Sequence, residues 1–309
     1  MVKIINGDCR EVLKTLPDCS VNCCVTSPPY FGLRDYGVAG QLGLEQTPEQ
    51  YVAEMVAVFR EVRRVLRDDG TLWLNLGDSY ASYRDGKATP DTTRGNSTGT
   101  LVPKGEAKNR MASTFKGSAI KHKDLIGIPW RVAFALQADG WYLRQDIIWS
   151  KPNPMPESVK DRCTKAHEYI FLLSKSARYY FDHEAIKEPL QGEPHATGNK
   201  KLDASRNDHD QMTKVWGSNG MRNRRSVWTV TTKPFKGAHF ATFPPDLIKP
   251  CILAGCQAGG TVLDPFGGSG TTGEVAAGNG RNAILIELNA SYCSLAKSRN
   301  GLFCQQGVV

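Results

Sequence analysis

Apolar positions along the chain fall into two alternating patterns. Residues 21–26 form a short apolar run that stops at Pro28-Pro29, as a buried strand does. Thr47-Pro48-Glu49-Gln50 then has the form of a helix start, with Thr as N-cap, Pro in the first turn and Gln three residues after the cap. Val52, Met55, Val56, Phe59, Val62 and Leu66 follow at helical spacing, and Asp69-Gly70 is expected to stop that helix. Residues 71–76 read as a strand, 129–136 as a helix, and 141–149 and 169–173 as strands. The rhythm resumes with a helix start at Pro244-Pro245 and a strand at 261–263. A Gly-rich turn, a helix through Ala277, a strand at 282–286 and a last helix from about Ala290 complete it. Short strands alternating with amphipathic helices predict an α/β fold: a mostly parallel, twisted sheet with helices on both faces.

Two segments break this rhythm. Residues 81–123 hold nine Lys/Arg against three Asp/Glu, and residues 184–238 hold ten against six. The whole chain carries +8 over 309 residues, so the body outside these segments is close to neutral. Both segments are rich in Gly, Ser, Thr and Asn, and read as basic, loop-rich insertions. Solvated loops are the plain reading; a polyanion partner is the pointed one. The candidate contacts are Lys104, Lys108, Arg110 and Lys116 in the first insertion, Lys214, Arg222, Arg224 and Arg225 in the second, and Lys151 between them.

The remaining bulk features mostly exclude. No apolar run approaches the roughly 20 residues that span a bilayer. The start, with Asp8 and Glu11 and no long apolar stretch, does not read as a signal peptide, and the expectation is a cytoplasmic protein. The nine cysteines are scattered without a CxxC pair, as buried thiols in a reducing compartment are. His167, His183, His195 and His209 have no metal-site spacing, so no metal is expected.

Chemistry concentrates in two motifs. Asp264-Pro265-Phe266-Gly267-Gly268-Ser269-Gly270-Thr271-Thr272 lies between a strand and a helix, at the sheet edge where α/β proteins bind ligands. Glu287 ends the next strand, where an acid can take both hydroxyls of a ribose. A P-loop would need Lys where Thr271 stands, and the glycines do not fit the dinucleotide spacing GxGxxG. An acid beside the turn suits a ligand carrying positive charge; a purely structural turn is the alternative, against which Glu287 weighs. The second motif, Thr26-Ser27-Pro28-Pro29-Tyr30, also follows a strand. Its prolines fix the backbone and remove amide donors, so a hydroxyl, a carbonyl and an aromatic face are presented rigidly.

Together, TSPPY, DPFGGSGTT and the trailing Glu resemble the DNA amino-methyltransferases of the β-type motif order, in which the catalytic (S/D/N)PPY precedes the FxGxG cofactor motif. The resemblance covers most of the chain outside the two insertions. Asn6-Gly7-Asp8-Cys9, residues 70–78, Trp149-Ser150-Lys151-Pro152-Asn153, Lys165-Ala166-His167-Glu168 and His239-Phe240-Ala241-Thr242-Phe243-Pro244 match supporting segments in the same order. It implies a Rossmann-like methyltransferase fold divided as follows: 1–80 the catalytic half, 81–123 a basic insertion at the DNA, 124–183 the target-base pocket region, 184–238 the target recognition region and 239–309 the cofactor half. It implies S-adenosylmethionine as cofactor, held by Asp8, Cys9, Thr242, Phe243, Asp264, Phe266, Gly268, Gly270, Thr271, Thr272, Glu287 and Asn289.

Double-stranded DNA is the implied partner, with a base flipped out to meet Ser27, Pro28, Pro29 and Tyr30. Ser27 Oγ and the Pro28 carbonyl would accept from the base's amino group while Tyr30 stacks on the ring. Transfer would be direct and metal-free, without a cysteine nucleophile. Ser27 leaves the acceptor open: in this family SPPY goes with cytosine N4 and DPPY with adenine N6, while adenine enzymes are commoner. The expectation taken is adenine N6, with cytosine N4 as the alternative. A homodimer would match a palindromic site. A protein or small-molecule amine methyltransferase, which needs no basic insertions, and a silent DNA-binding module, which needs no intact motifs, are the rivals.

Overall fold

The computed structural model describes residues 1–81, 119–190, 220–232 and 243–304. Eight strands form one sheet: β1 (Val2–Asn6), β2 (Val21–Thr26), β3 (Leu66–Leu76), β4 (Tyr142–Ser150), β5 (His167–Ser174), β8 (Val227–Thr229), β9 (Thr261–Asp264) and β10 (Asn282–Glu287). Their order across the sheet is β1-β10-β9-β2-β3-β5-β4-β8. The run from β1 to β3 is parallel throughout, β5 is antiparallel to both β3 and β4, and β8 lies parallel to β4. A separate ribbon pairs β6 (Glu188–Pro189) with β7 (Met221–Arg222).

Side chains on β3 show how the sheet is covered. Leu72, Leu74 and Leu76 belong to one core, and Trp73 between them belongs to the other. On the first face lie α2 (Pro48–Val65), which buries Tyr51, Met55, Phe59 and Val62, and α3 (Ile128–Ala138), which buries Val132 and Leu136. On the second lie α4 (Pro245–Gly255), with Leu247, Ile248, Cys251 and Ile252, and α5 (Thr271–Gly278), with Val275 and Ala276. The short α1 (Cys9–Val12) and the last helix, α6 (Ala290–Arg299), flank β1 and β10. Helices therefore cover both faces, and the central parallel strands β2 and β9 are buried almost throughout.

The start of α2 matches its sequence signals: Thr47 Oγ1 accepts from Gln50 N at 3.2 Å, and Gln50 Oε1 accepts from Thr47 N at 3.2 Å. Its end differs from expectation. The helix stops at Val65, four residues before Asp69, because Leu66 takes an extended conformation and pairs with Val21. The pairing then jumps from Val21↔Leu66 to Cys23↔Thr71, so Asp69-Gly70 forms part of a bulge inside β3 and does not cap a helix. The segment 184–238 also differs from a loop-rich insertion where it is described: β8 extends the main sheet, and Glu184–Ile186 forms a 3₁₀ turn that contacts α4. Residues 82–118, most of the first insertion, lie outside the described residues, and with them Lys104, Lys108, Arg110 and Lys116. Lys214, Thr242, His195 and His209 lie outside them as well. Among the described residues no helix is long and apolar enough to cross a membrane.

Topology sets the place of the site. From β2 the chain moves outward to β3, and from β9 it moves the other way to β10, so the adjacent β2 and β9 form a switch point. Ligands of open α/β sheets bind beyond the carboxyl ends of the strands at such a point. Close helix-to-sheet contact on the second face depends on Gly255: a Cβ there would stand 2.6 Å from Trp73 Nε1, 2.7 Å from Thr71 Oγ1 and 2.8 Å from Cys23 Sγ. Gly255→Ala is expected to destabilise the protein by about 2 kcal/mol through overpacking, read as a lower urea midpoint; an unchanged midpoint would show that α4 shifts freely.

Candidate active site

Five parallel strands end at one edge, and each delivers a polar group to it. Asp8 follows β1, Ser27 to Tyr30 follow β2, Asn75 is near the end of β3, Asp264 ends β9 and Glu287 ends β10. A cavity of about 790 Å³ opens between them. Of the sequence-predicted residues, Asp8, Cys9, Ser27, Pro28, Pro29, Tyr30, Lys151, Phe243, Asp264, Phe266, Gly268, Thr271, Glu287 and Asn289 line it. Gly270 and Thr272 do not line it, and support its wall from behind.

Asp264 joins the two motifs. Its Oδ1 accepts from Thr26 Oγ1 at 2.6 Å and from Phe266 N at 3.0 Å, and its Oδ2 accepts from Thr272 Oγ1 at 2.6 Å. The carboxyl is 2 % exposed, and burial pushes its pKa up to about 6 against the hydroxyl and amide donors that favour the anion. Gly268 and Gly270 have φ of 50° and 82°, the left-handed region that glycine enters without strain. At Gly270 a Cβ would also stand 2.5 Å from Asn300 Nδ2 and 3.0 Å from the Ala296 Cβ, so this glycine lets α6 close over the turn. Thr271 Oγ1 accepts from the Arg299 guanidinium at 2.8 Å.

Glu287 sits opposite. Its Oε2 accepts from Gly268 N and its Oε1 from Asn289 N, both at 2.8 Å, which aims the carboxylate across the turn. Each oxygen keeps capacity for a further donor. Burial raises this pKa too. Asp8 is held by Arg10, whose Nη2 stands 2.6 Å from Oδ2, and this bond is the main reason its pKa is lowered. Asn289 caps α6 by accepting from Ser291 N.

At the other end of the cavity Tyr30 Oη donates to Glu168 Oε2 at 2.7 Å, and Glu168 Oε1 pairs with Lys151 Nζ. Asn75 Nδ2 donates to the same Glu168 Oε2 at 3.3 Å. Burial, and after it the negative charge of Glu168, raises the Tyr30 pKa well above 10. The Lys151 ammonium also lies 4.3 Å from the centroid of the Trp149 ring. Ser27, which lines the cavity, has its Oγ donating to Tyr30 Oη at 3.5 Å. Tyr51 Oη on α2 anchors the Pro29 carbonyl at 2.9 Å, and Gly77 leaves room for the Tyr30 ring, since a Cβ there would stand 2.5 Å from Tyr30 Cε2.

Asn75 and Arg34 are residues of the cavity wall that sequence reasoning did not single out. Arg34 Nε and Nη1 are buried without a hydrogen-bond partner, so the wall holds donors that await an acceptor. In the second insertion Arg222 Nε and Arg225 Nε both donate to Glu188 Oε1, at 3.0 and 2.7 Å, and Arg224 stacks on the Trp228 ring at 4.6 Å. None of the three lines the cavity.

A Gly-rich turn at the switch point, a carboxylate ending the next strand and a rigid Ser-Pro-Pro-Tyr beside them agree with the nucleoside-dependent methyltransferase class that the motifs resemble. Comparison with known proteins narrows the class. A sequence profile of the DNA methylase family (N6_N4_Mtase) matches residues 21–298. The chain is 49 % identical over 296 residues to the type II methyltransferase M.XycI of Xanthomonas campestris pv. cyanopsidis, spanning 96 % of this chain and 86 % of that protein. It is 50 % identical over 297 residues to M.SmaI of Serratia marcescens, spanning 96 % and 90 %. Among solved structures, the cytosine-N4-specific PvuII DNA methyltransferase superposes with a TM-score of 0.64 at 18 % identity, over 100 % of this chain and 88 % of that one. A DNA modification methylase of Thermus thermophilus, TTHA0409, complexed with S-adenosyl-L-methionine, gives 0.60 at 22 % identity, over 99 % and 96 %.

The protein belongs to the N6/N4 DNA methylase family. It is a site-specific DNA methyltransferase whose cofactor is S-adenosylmethionine. The cavity fits that cofactor, because buried carboxylates suit a cation, and the unpartnered Arg34 donors suit the carboxylate of its methionine part.

Two outcomes follow. Glu287→Ala is expected to weaken S-adenosylmethionine binding about 10- to 100-fold, the loss of one or two hydrogen bonds to a charged group, as read by calorimetry; unchanged affinity would place the ribose elsewhere. The folded protein binds the Asp264 proton more tightly than the unfolded chain, whose carboxyl keeps the ordinary 3.8. Stability from this group therefore falls as pH rises from about 4 to about 6 and is level above. Over that window the stability difference between wild type and Asp264→Asn is expected to change by about 3 kcal/mol, with urea unfolding as the measurement. A constant difference would mean that the buried carboxyl titrates normally.

Proposed function

We propose that the protein methylates the N4 amino group of a cytosine flipped into this cavity, in place of the adenine N6 expected from the sequence. The observation that carries this reading is the donor-rich wall around Tyr30. Next to its amino group cytosine presents two adjacent acceptors, N3 and O2. Adenine presents one, N1, and then a C–H. Lys151 offers an ammonium with three donors, only one of which Glu168 takes, whereas both amide hydrogens of Asn75 are spent on Glu168 and the Tyr169 carbonyl. A cationic donor is better matched by the cytosine edge, and Ser27 in SPPY agrees with it. The PvuII enzyme, whose name states cytosine-N4 specificity, shares the fold.

In this reading the residues divide the work. S-adenosylmethionine supplies a methyl group made electrophilic by a sulfonium. Glu287 takes the ribose hydroxyls, Phe266 and Phe243 pack along the cofactor, and Arg34 receives its carboxylate. Ser27 Oγ, already donating to Tyr30, accepts from the base amine together with the Pro28 carbonyl, which turns the amine lone pair toward the methyl; the N–C bond forms as the C–S bond breaks, S-adenosylhomocysteine leaves, and one amine proton is released to water. Tyr30 stacks on the ring, its hydroxyl fixed by Glu168. Positioning and fixed dipoles lower the barrier. The basic residues of both insertions, including Lys104, Lys108, Arg110, Lys116 and Lys214 by their sequence alone, supply phosphate contacts.

Mass spectrometry of nucleosides from a methylation-free host that expresses the protein is expected to show N4-methylcytosine, and sequencing of that DNA maps the site. N6-methyladenine would instead restore the adenine reading, and no methylated base from an active preparation would remove both. Ser27→Ala is expected to lower kcat about 100-fold with cofactor affinity unchanged, as loss of one preorganised polar contact does. Full activity in that variant would show that Ser27 does not face the amine.

A further inference from the structure

We propose that Met155 is the wedge that enters the DNA base stack and fills the place left by the flipped base. This rests on the reading that the acceptor base leaves the duplex, but not on which base it is. Met155 lines the cavity, yet 60 % of it is exposed, more than any other large apolar side chain described apart from the terminal-region Leu302. An apolar side chain that lines a binding cavity and still faces water is placed to meet what enters that cavity.

The chain around it is built to be stiff. Pro152, Pro154 and Pro156 alternate with Asn153 and Met155, which fixes φ at every second position. Asn153 is clamped at both ends of its amide: Nδ2 donates to the Thr232 carbonyl at 3.2 Å, and Oδ1 accepts from Thr232 N at 3.0 Å. Further along, Glu157 Oε2 accepts from Arg162 at 2.6 Å and from Lys165 N at 3.3 Å, and the Arg162 guanidinium lies 3.8 Å from the centroid of the Tyr80 ring. A side chain that only covered a pocket would need none of this bracing. One that must displace a stacked base does, because a soft loop would yield first.

Charge agrees with the occupant. Residues 151–168 carry Lys151, Lys160, Arg162 and Lys165 against Glu157, Asp161 and Glu168, so the loop with its ion-pair partner is net basic by one charge, and Lys160 is exposed. A basic, rigid loop with an apolar tip fits the grooves of a duplex, where Met is among the side chains that insert between base steps. Its unbranched, polarisable thioether lies well against flat rings. Leu33, which follows the catalytic turn, is the other large apolar residue that both lines the cavity and stands half exposed, at 50 %.

The test places 2-aminopurine at the target position of a duplex carrying the mapped site. Wild-type binding is expected to raise its fluorescence as the base unstacks. Met155→Ala is expected to fold normally and to bind S-adenosylhomocysteine as the wild type does. It should lose most of the fluorescence rise, and Met155→Leu should restore it. On the normally paired site Met155→Ala should lower kcat/KM about 10- to 100-fold. On a duplex with a mismatched target, which flips at little cost, the loss should shrink to about 3-fold or less. A full fluorescence rise in Met155→Ala, or an equal loss on paired and mismatched sites, overturns the wedge and makes Met155 a wall of the base pocket or an idle side chain. A wild type that methylates the duplex but raises no fluorescence overturns base flipping itself.

Discussion

One buried carboxylate holds the active site together. Asp264 receives the hydroxyls of Thr26, at the end of the catalytic strand, and Thr272, at the start of the helix behind the cofactor turn. These residues are 238 and 8 positions away from it in sequence, so a single side chain ties the first motif to the last. Burial is costly for a carboxylate and pushes its pKa up, and three donors offset that cost. The arrangement leaves Asp264 little freedom to bind a ligand by itself. Its negative charge still lies at the wall of the cavity, where a sulfonium is to be held.

From this junction the site extends in two directions. Toward β10 the groups suit a nucleoside: Glu287 is aimed by two backbone amides, and Asp8 is held by Arg10. Toward β4 and β5 they suit a base: Tyr30, Glu168, Lys151 and Asn75 form one hydrogen-bonded network with few bonds left to make among themselves. The methyl group must cross from the first region to the second, and Ser27 stands between them. Fixed partners on both sides mean that little reorganisation is needed when the reactants arrive.

The sequence showed the elements whose signals are local. Thr47, Pro48 and Gln50 announced α2 because a capping box is written within four residues, and α6 begins at Ala290 as its pattern suggested. Elements made by distant pairing were hidden. β1 carries Lys3 and Asn6 among its apolar residues and becomes a strand by pairing with β10, about 280 positions on. β8 has three residues and is defined by β4. The break after Val65 was missed for the same reason, since Leu66 is extended because Val21 waits beside it. Within the site, motif residues were legible as types. Which of them touch ligand and which hold the others was not. Thr272 and Gly270 support the turn, and Arg34 stands out only as a buried donor without an acceptor. Arg222 and Arg225 read as candidate DNA contacts, and that both donate to Glu188 is a tertiary fact.

In the proposed reaction one cavity at the β2–β9 switch point holds cofactor and flipped cytosine side by side, with Ser27 facing the amine. A crystal structure with an unreactive cofactor analogue and a duplex carrying the mapped site tests it most directly. The cytosine is expected out of the stack, its N4 about 3 Å from Ser27 Oγ, with the ribose of the analogue on Glu287. A base that stays stacked, or an analogue that lies away from Glu287, would contradict it.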